Sequence, residues 1–256
     1  MPTQRSERDE DGSCWNQFPV DRRRILYGIG AGAMLSSLGI GVGAAEEDDP
    51  DTASEHNVSG DDVHPVFGFS ALLPEVDPPV SPDHEVEALI RPREDRPIPE
   101  FFFEPTGLYI EPGETVRFTL TTPHHSVTAF HPAMGITQRV PDGVPPFSSP
   151  VLPVQAYWLY TFEEEGVYDF HCGPHEVFGH VGRVVAGDAV GPGAEPVPAP
   201  DEEPEQDGNG EGPALRPPVG TAAAVLNDPA LEPDRIIEHG TVSWEDLQPE
   251  SKELVL

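Results

Sequence analysis

Two apolar runs in the second half of the chain enclose a short loop of metal-binding side chains. Residues 167–172 and 181–186 have the length and apolar content of buried strands. The loop between them holds Cys172, His175 and His180 in the spacing Cys-x-x-His-x-x-x-x-His. A thiolate and two imidazoles on one loop can surround a single soft metal ion. The fold must therefore place this metal loop, residues 172–180, between two adjacent strands.

Other segments repeat the strand pattern upstream. Polar and apolar residues alternate over 84–91 and 115–120, and residues 155–162 are rich in aromatic side chains. Turn sequences separate these segments at 111–114 and 163–166. Seven or eight short strands within about 100 residues, without a convincing helix, predict an all-β fold, a β-sandwich.

The predicted sandwich, residues 84–187, lies between segments of different composition. Residues 46–83 and 188–218 are rich in proline and acidic residues, which predicts disordered acidic linkers. Residues 219–256 form a C-terminal tail, which we expect to dock on the sandwich. Within it we predict short helices near Asp228-Pro229 and over 234–239, with Gly240 as the stop and Val242 and Trp244 as the docking side chains.

The N-terminus carries a predicted targeting signal. Three arginines, Arg22 to Arg24, precede an uncharged apolar run over 25–45. This pattern resembles a twin-arginine (Tat) export signal, with small residues for cleavage at 42–45. We predict that residues 1–45 are this signal and that the protein is extracytoplasmic. Alternatively the run stays uncleaved and anchors the protein at the outer face of the membrane, since about 20 residues can span a bilayer.

The two cysteines differ in position. Cys14 precedes the arginines and would leave with a cleaved signal, so Cys172 would be the single thiol of the exported protein. No intrachain disulfide could then form. Because an exposed thiol outside the cell is prone to oxidation, burial or a metal bond is expected for Cys172.

The charge of the chain excludes one class of partner. The net charge is −32, and Lys252 is the only lysine. Such a surface would repel phosphates, so nucleic acid is not an expected partner. Many carboxylates with almost no lysine indicate adaptation to molar salt, where charges are screened over about 3 Å. The alternative is an ordinary acidic disordered tail.

A further imidazole is available upstream, in Pro123-His124-His125-Ser126-Val127. One thiolate and two imidazoles with a weak axial donor form the blue-copper arrangement. The residues alone do not decide the metal, because a Cys-His₃ set is also acceptable to zinc.

Residues 167–186 resemble the C-terminal copper loop of the plastocyanin-like cupredoxins, the group of plastocyanins, pseudoazurins and halocyanins. The family pattern is Tyr-x-Phe-x-Cys-x-Pro-His-x-x-x-x-Met-x-Gly-x-Val. This sequence matches it at Tyr168, Phe170, Cys172, Pro174, His175, Gly182 and Val184. The resemblance implies an eight-stranded Greek-key sandwich with one copper ion. It also implies a non-enzymatic carrier that passes single electrons between redox protein partners.

The resemblance also implies roles for individual residues. His125, Cys172 and His175 would be the strong copper ligands. His125 is favoured over His124 because Ser126-Val127 follows it as Asn-Val does in the family. The Ser126 hydroxyl would then hold the metal loop by a hydrogen bond. His124 would lie at the surface or beside the ligands. His171, next to the cysteine, would be an electron-exit residue or a solvated side chain.

The sequence departs from the family at the position of the axial methionine, which is His180 here. Imidazole is a stronger donor than a thioether. A bound His180 is therefore expected to lower the reduction potential, and to protonate and leave below about pH 6.5. Alternatively His180 swings into solvent. We expect Pro174, Val177 and Phe178 to cover the copper.

Three functions follow from this site. An exported electron carrier with histidine in place of the axial methionine is favoured. The second is an open Cys-His₃ copper site that binds or converts a small molecule such as nitric oxide or superoxide. The third is a protein that binds copper or zinc without a redox function.

Overall fold

Two five-stranded sheets form the body of the protein in the computed structural model, which describes residues 63–198 and 215–255. The predicted signal, the apolar run 25–45, and residues 199–214 lie outside the described residues. The strands are β1 (Phe69–Ala71), β2 (His84–Arg91), β3 (Glu100–Glu104), β4 (Gly107–Ile110), β5 (Thr115–Leu120), β6 (Thr128–Ala129), β7 (Tyr157–Thr161), β8 (Gly166–His171), β9 (Val181–Ala186) and β10 (Thr241–Val242).

The order of the strands confirms the predicted all-β sandwich. One sheet runs β1-β7-β5-β2-β3 and the other runs β10-β4-β9-β8-β6. Strands β2 and β5 pair in parallel, as do β4 and β9, while the other pairs are antiparallel. Strands β2 to β9 are the eight strands of the predicted domain. Strands β1 and β10 come from the flanking segments and add one edge strand to each sheet.

The core between the sheets follows from the alternation in β5. Val116, Phe118 and Leu120 are buried, whereas Arg117 between them is half-buried. The Phe118 ring meets the Phe170 ring of the opposite sheet edge-on, with centroids 5.4 Å apart. Because burial of one such side chain contributes about 1.5–3 kcal/mol, this alternation suffices to fix which face of β5 points inward.

The expectation of a linker over 46–83 is wrong for residues 63–71. Strand β1 pairs with β7, and the Trp158 indole N–H donates to the Phe67 carbonyl oxygen at 2.7 Å. Val63 and Ala71 are buried. A strand of three residues is too short to show a polar–apolar alternation. With prolines on either side of it, the sequence therefore resembled a linker.

The expectation of a linker over 188–218 is wrong at both of its ends. Val197 is buried, and its main-chain N–H and carbonyl both pair with the Asn227 side chain, at 2.8 and 2.9 Å. At the other end, the Arg216 main chain bonds to residues 135 and 137. These contacts connect segments distant in sequence, so local composition does not reveal them.

A buried ion network joins the sandwich to the segments that follow it. Asp169 of β8 accepts from Arg139 Nε at 2.7 Å and from Arg183 Nε at 2.7 Å. Arg139 also donates to the Gly193 carbonyl, and Arg183 to the Leu231 carbonyl. All three charged side chains are at most 4% exposed, so each depends on the others for its partners.

Residues 215–255, the C-terminal segment, pack on the second sheet. They contain α1 (Gly220–Leu226) and α2 (Pro233–His239). Helix α2 and the turn that Asp228 caps lie where short helices were predicted, and Gly240 follows α2 with φ 78°. Helix α1 was not predicted. Trp244 is buried and stacks on Phe102 of β3, with centroids 5.2 Å apart.

None of the helices in the described parts of the chain has the length and apolar character that crossing a bilayer requires.

Candidate metal centre

Four predicted donors meet at one end of the sandwich. His125 lies between β5 and β6, Cys172 directly follows β8, and His175 and His180 belong to the loop before β9. One donor atom from each of the four lies within 4.8 Å of the others. The structure therefore brings together the residues that the sequence selected, although they are up to 55 positions apart.

The spacing of three donors suits one first-row metal ion. Cys172 Sγ lies 3.7 Å from His125 Nδ1 and 3.4 Å from His175 Nδ1. The two Nδ1 atoms are 3.3 Å apart. A tetrahedral ion with bonds of about 2.3 Å to sulfur and about 2.0–2.1 Å to nitrogen separates its donors by about 3.3–3.6 Å. Sulfur and nitrogen donors of this kind suit copper.

His180 is the fourth member of the cluster and is fully buried. Its ring lies 4.2 Å from the Phe103 ring and 4.8 Å from the His125 ring, measured between centroids. Neither ring nitrogen has a hydrogen-bond partner among the described residues. The alternative that His180 swings into solvent is therefore wrong. Because unpaired buried nitrogens are unfavourable, a metal bond would satisfy one of them.

The metal loop is a short 3₁₀ helix over Gly173–Phe178. The His175 N–H donates to the Cys172 carbonyl at 2.9 Å, and the Cys172 N–H donates to the His180 carbonyl at 2.9 Å. Gly179 ends the turn with φ 82°, a conformation that strongly favours glycine. These main-chain bonds turn all three donors of the loop toward one point.

Ser126 connects the two loops of the site. Its N–H donates to Cys172 Sγ at 3.4 Å, and its hydroxyl oxygen accepts from the Gly173 N–H at 2.9 Å. Burial raises the pKa of the Cys172 thiol, although the hydrogen bonds from Ser126 oppose the shift. A metal ion would hold the sulfur as a thiolate in spite of its burial.

Thr122 orients His125, a role that the sequence did not suggest. Its hydroxyl lies 2.8 Å from His125 Nε2, which leaves Nδ1 directed at the other donors. A threonine three residues before a histidine carries no distinctive signal, because the contact arises only when the loop is folded. The neighbouring His124 is exposed, has φ 71°, and lies outside the donor cluster.

Burial shifts the pKa values of the histidines. Burial, with smaller contributions from His175 and His124, lowers the pKa of His125 to about 4. Burial and the neighbouring histidines lower the pKa of His180 well below its ordinary value. Protonation of His180 is therefore expected well below about pH 6.5, which is the value for a solvated imidazole.

Phe101 packs beside the donor His175, a contact that the sequence did not suggest. Val177 is 47% exposed and Pro174 is also exposed. The Phe101 ring of β3 is tilted by 35° against the His175 ring, with centroids 4.6 Å apart, and stacks on Phe178 at 4.7 Å. Among the four donors, His175 alone is partly exposed.

His171 was expected to be either an electron-exit residue or a solvated side chain, and it is not solvated. It is 4% exposed, stacks on Phe130 with centroids 4.5 Å apart, and its Nδ1 lies 3.3 Å from Glu176 Oε2. Burial, partly offset by Glu176, lowers the pKa of His171 to about 4.

Comparisons with known proteins identify relatives of this chain. It is 34% identical over 120 residues to the pseudoazurin of Paracoccus pantotrophus, which covers 47% of this chain and 74% of the relative. It is 34% identical over 123 residues to a putative pseudoazurin of Rhizobium leguminosarum bv. viciae, which covers 48% of this chain and 72% of that protein. No protein family model matches the chain.

Solved structures with similarity to this chain include the pseudoazurin of Methylobacterium extorquens AM1. It is 29% identical with a TM-score of 0.34, and the match covers 41% of this chain and 76% of that one. With relatives more than 30% identical over more than two thirds of their length, the chain belongs to the cupredoxin family of blue copper proteins, among the relatives of the pseudoazurins.

Proposed function

We propose that this protein is an electron carrier in which His125, Cys172, His175 and His180 hold one copper ion. His180 takes the place of the family's axial methionine. The observation that supports this proposal is the buried cluster of four donors, in which neither ring nitrogen of His180 has a hydrogen-bond partner within the described parts of the chain. Copper bound there would supply a one-electron couple.

The protein's own contribution is a frame that keeps the donors in place. Thr122 fixes the ring of His125, and Ser126 ties the sulfur and the metal loop to the upstream loop. Phe101 and Phe103 pack against the imidazoles of His175 and His180. A site whose donors are held this firmly changes little between two oxidation states, which favours rapid electron transfer.

Two observations favour a carrier over an open catalytic site. Three of the four donors are fully buried, so a small molecule would have to enter past His175. Glu176, the carboxylate nearest in sequence, is bound to Arg216 and is not available as a general base. Copper is preferred to zinc because the relatives are blue copper proteins.

The partners and location proposed here follow from the same features. The partly exposed His175 would pass electrons to a redox protein. We place the protein outside the cytoplasm, where a thiol buried at a metal site is protected from oxidation. Export by a Tat route remains a prediction from residues 1–45.

Voltammetry of the copper-loaded full chain tests the carrier function. We expect a reversible one-electron couple and one copper per chain by elemental analysis. Irreversible or absent current, or zinc as the metal in protein purified from its native salt, would reject the proposal. A shift of the Cu(II) absorption on addition of azide would instead favour the open site.

Electron paramagnetic resonance of His180→Met tests the fourth donor. Because a thioether is the weaker ligand, we expect this variant to shift the spectrum toward that of a blue site and to raise the reduction potential. The matched control is His239→Met, which changes an exposed histidine of α2. Identical spectra for wild type and His180→Met would show that His180 does not bind the metal.

A further inference from the structure

The metal loop is bound from outside the sandwich, through the carboxylate of Glu176. This residue directly follows the donor His175 and is 4% exposed. Arg216 of the C-terminal segment donates to it twice, from Nη1 to Oε1 at 2.8 Å and from Nη2 to Oε2 at 2.6 Å. The Val219 N–H adds a third bond to Oε1 at 3.1 Å. Such a bidentate arginine–carboxylate contact fixes the orientation of the carboxylate as well as its distance from the guanidinium.

Arg216 is itself held on its other side. Its N–H donates to the Gly135 carbonyl at 3.1 Å, and its carbonyl accepts from the Thr137 N–H at 2.9 Å. These bonds form a parallel bridge between Arg216 and Ile136. The main chain that carries the guanidinium is therefore fixed to the connection between β6 and β7.

Helix α1 packs against the same loop at Gly179. A side chain added at Gly179 would meet Thr221 Cγ2 at 3.1 Å and Val225 Cγ2 at 3.3 Å. Gly179 lies immediately before His180 in the chain. The C-terminal segment therefore contacts the metal loop at two positions. Glu176 directly follows the donor His175, and Gly179 directly precedes the donor His180.

We propose that Arg216 is a positioning residue of the metal centre, which holds the part of the loop that carries His175 and His180. The C-terminal segment then belongs to the metal site, although it contributes no donor to it. This inference rests on the proposed copper function. It adds that metal retention and the Cu(II) spectrum depend on a residue 36 positions beyond the last donor.

The test compares Arg216→Gln, Arg216→Lys and Arg235→Gln in the copper-loaded full chain. Glutamine removes the charge and the paired contact, whereas lysine keeps a point charge without the planar fork. Arg235 is an exposed arginine of α2 in the same segment and serves as the matched control. The measurements are the rate of copper loss to a chelator, the Cu(II) paramagnetic resonance and visible spectra, and the thermal unfolding midpoint of each variant.

We expect Arg216→Gln to lose copper about tenfold faster or more, with a shifted spectrum, because residues that orient metal ligands typically change metal affinity by about 10–100-fold. Arg216→Lys should lie between this variant and wild type, and Arg235→Gln should match wild type. A lower unfolding midpoint with unchanged copper loss and spectrum would mean a merely structural role and would overturn the inference. Equal effects of Arg235→Gln and Arg216→Gln would overturn it as well.

Failure of the carrier function is distinguishable from failure of this inference. If the wild-type protein shows no reversible one-electron couple, the carrier function is rejected. The rate of copper loss and the Cu(II) spectrum can still show whether Arg216 positions the metal loop. If Arg216→Gln folds poorly, Glu176→Gln removes the same ion pair from the other side while it keeps an acceptor for the Val219 N–H. Unchanged copper loss in Glu176→Gln would also count against the inference.

Discussion

Thr122 and His125 form a hydrogen-bonded pair, with the hydroxyl 2.8 Å from Nε2, on the side of the imidazole that faces away from the other donors. This contact selects which nitrogen is left for a metal ion. Both residues lie in the connection between β5 and β6, three positions apart.

Replacement of Thr122 by valine removes this hydroxyl with little change in volume. We expect copper affinity to fall about tenfold or more, because the His125 ring loses its orientation. The free energy of unfolding of the metal-free protein should fall by only about 0.5–1.5 kcal/mol. Competition with a chelator measures the first quantity, and thermal unfolding the second. Thr121→Val is the control, since Thr121 is exposed; equal copper affinities in the two variants would contradict the prediction.

The metal-free protein should lose stability as the pH falls from about 6.5 toward about 4. Burial lowers the pKa values of His125 and His171 to about 4, so the unfolded chain binds their protons at a pH where the folded chain does not. Each such histidine changes the free energy of unfolding by up to about 1.4 kcal/mol per pH unit. Denaturant unfolding at several pH values measures the slope. His171→Phe should reduce it, and an unchanged slope would contradict the assignment.

Asp169→Asn tests the buried ion network. Arg139 and Arg183 would keep their charges in the core but lose their common carboxylate. We expect a loss of about 3–5 kcal/mol in the free energy of unfolding, as for removal of one partner of a buried pair. The Cu(II) spectrum of the folded fraction should not change. Asp188→Asn, at an exposed position, is the control, and similar unfolding curves for both variants would contradict the prediction.

Salt should stabilise the protein. With a net charge of −32, repulsion between surface carboxylates opposes folding, and molar salt screens it over about 3 Å. We expect the thermal unfolding midpoint to rise between 0.2 M and 2 M potassium chloride. A midpoint that is constant or falls over this range would remove the support for adaptation to high salt.

The sequence predicted the parts of this structure that depend on local pattern. Strands β8 and β9 and the donors between them follow from apolar runs and from one spacing. His125 required the family resemblance, because nothing local separates it from His124. The burial of His180 depends on Phe103 from another strand, and so could not be inferred from the loop.

The missed features depend on contacts between distant segments. Strand β1 has three residues and is defined by its pairing with β7 rather than by its own composition. Arg216 lies in a proline-rich stretch and becomes informative only when Glu176 is found beside it. Such long-range pairs leave no periodic signal in a single sequence.

The positions of β1 and β10 have a consequence for any shortened form of this protein. They cover β7 and β4, the outer strands that the eight-stranded core would otherwise present. In a fragment cut to residues 84–187, β7 and β4 would become open edges in addition to β3 and β6, with unpaired N–H and carbonyl groups that are templates for association between copies. We therefore expect the flanking segments that supply β1 and β10 to limit association between copies, so that residues 84–187 alone are less soluble than the longer chain.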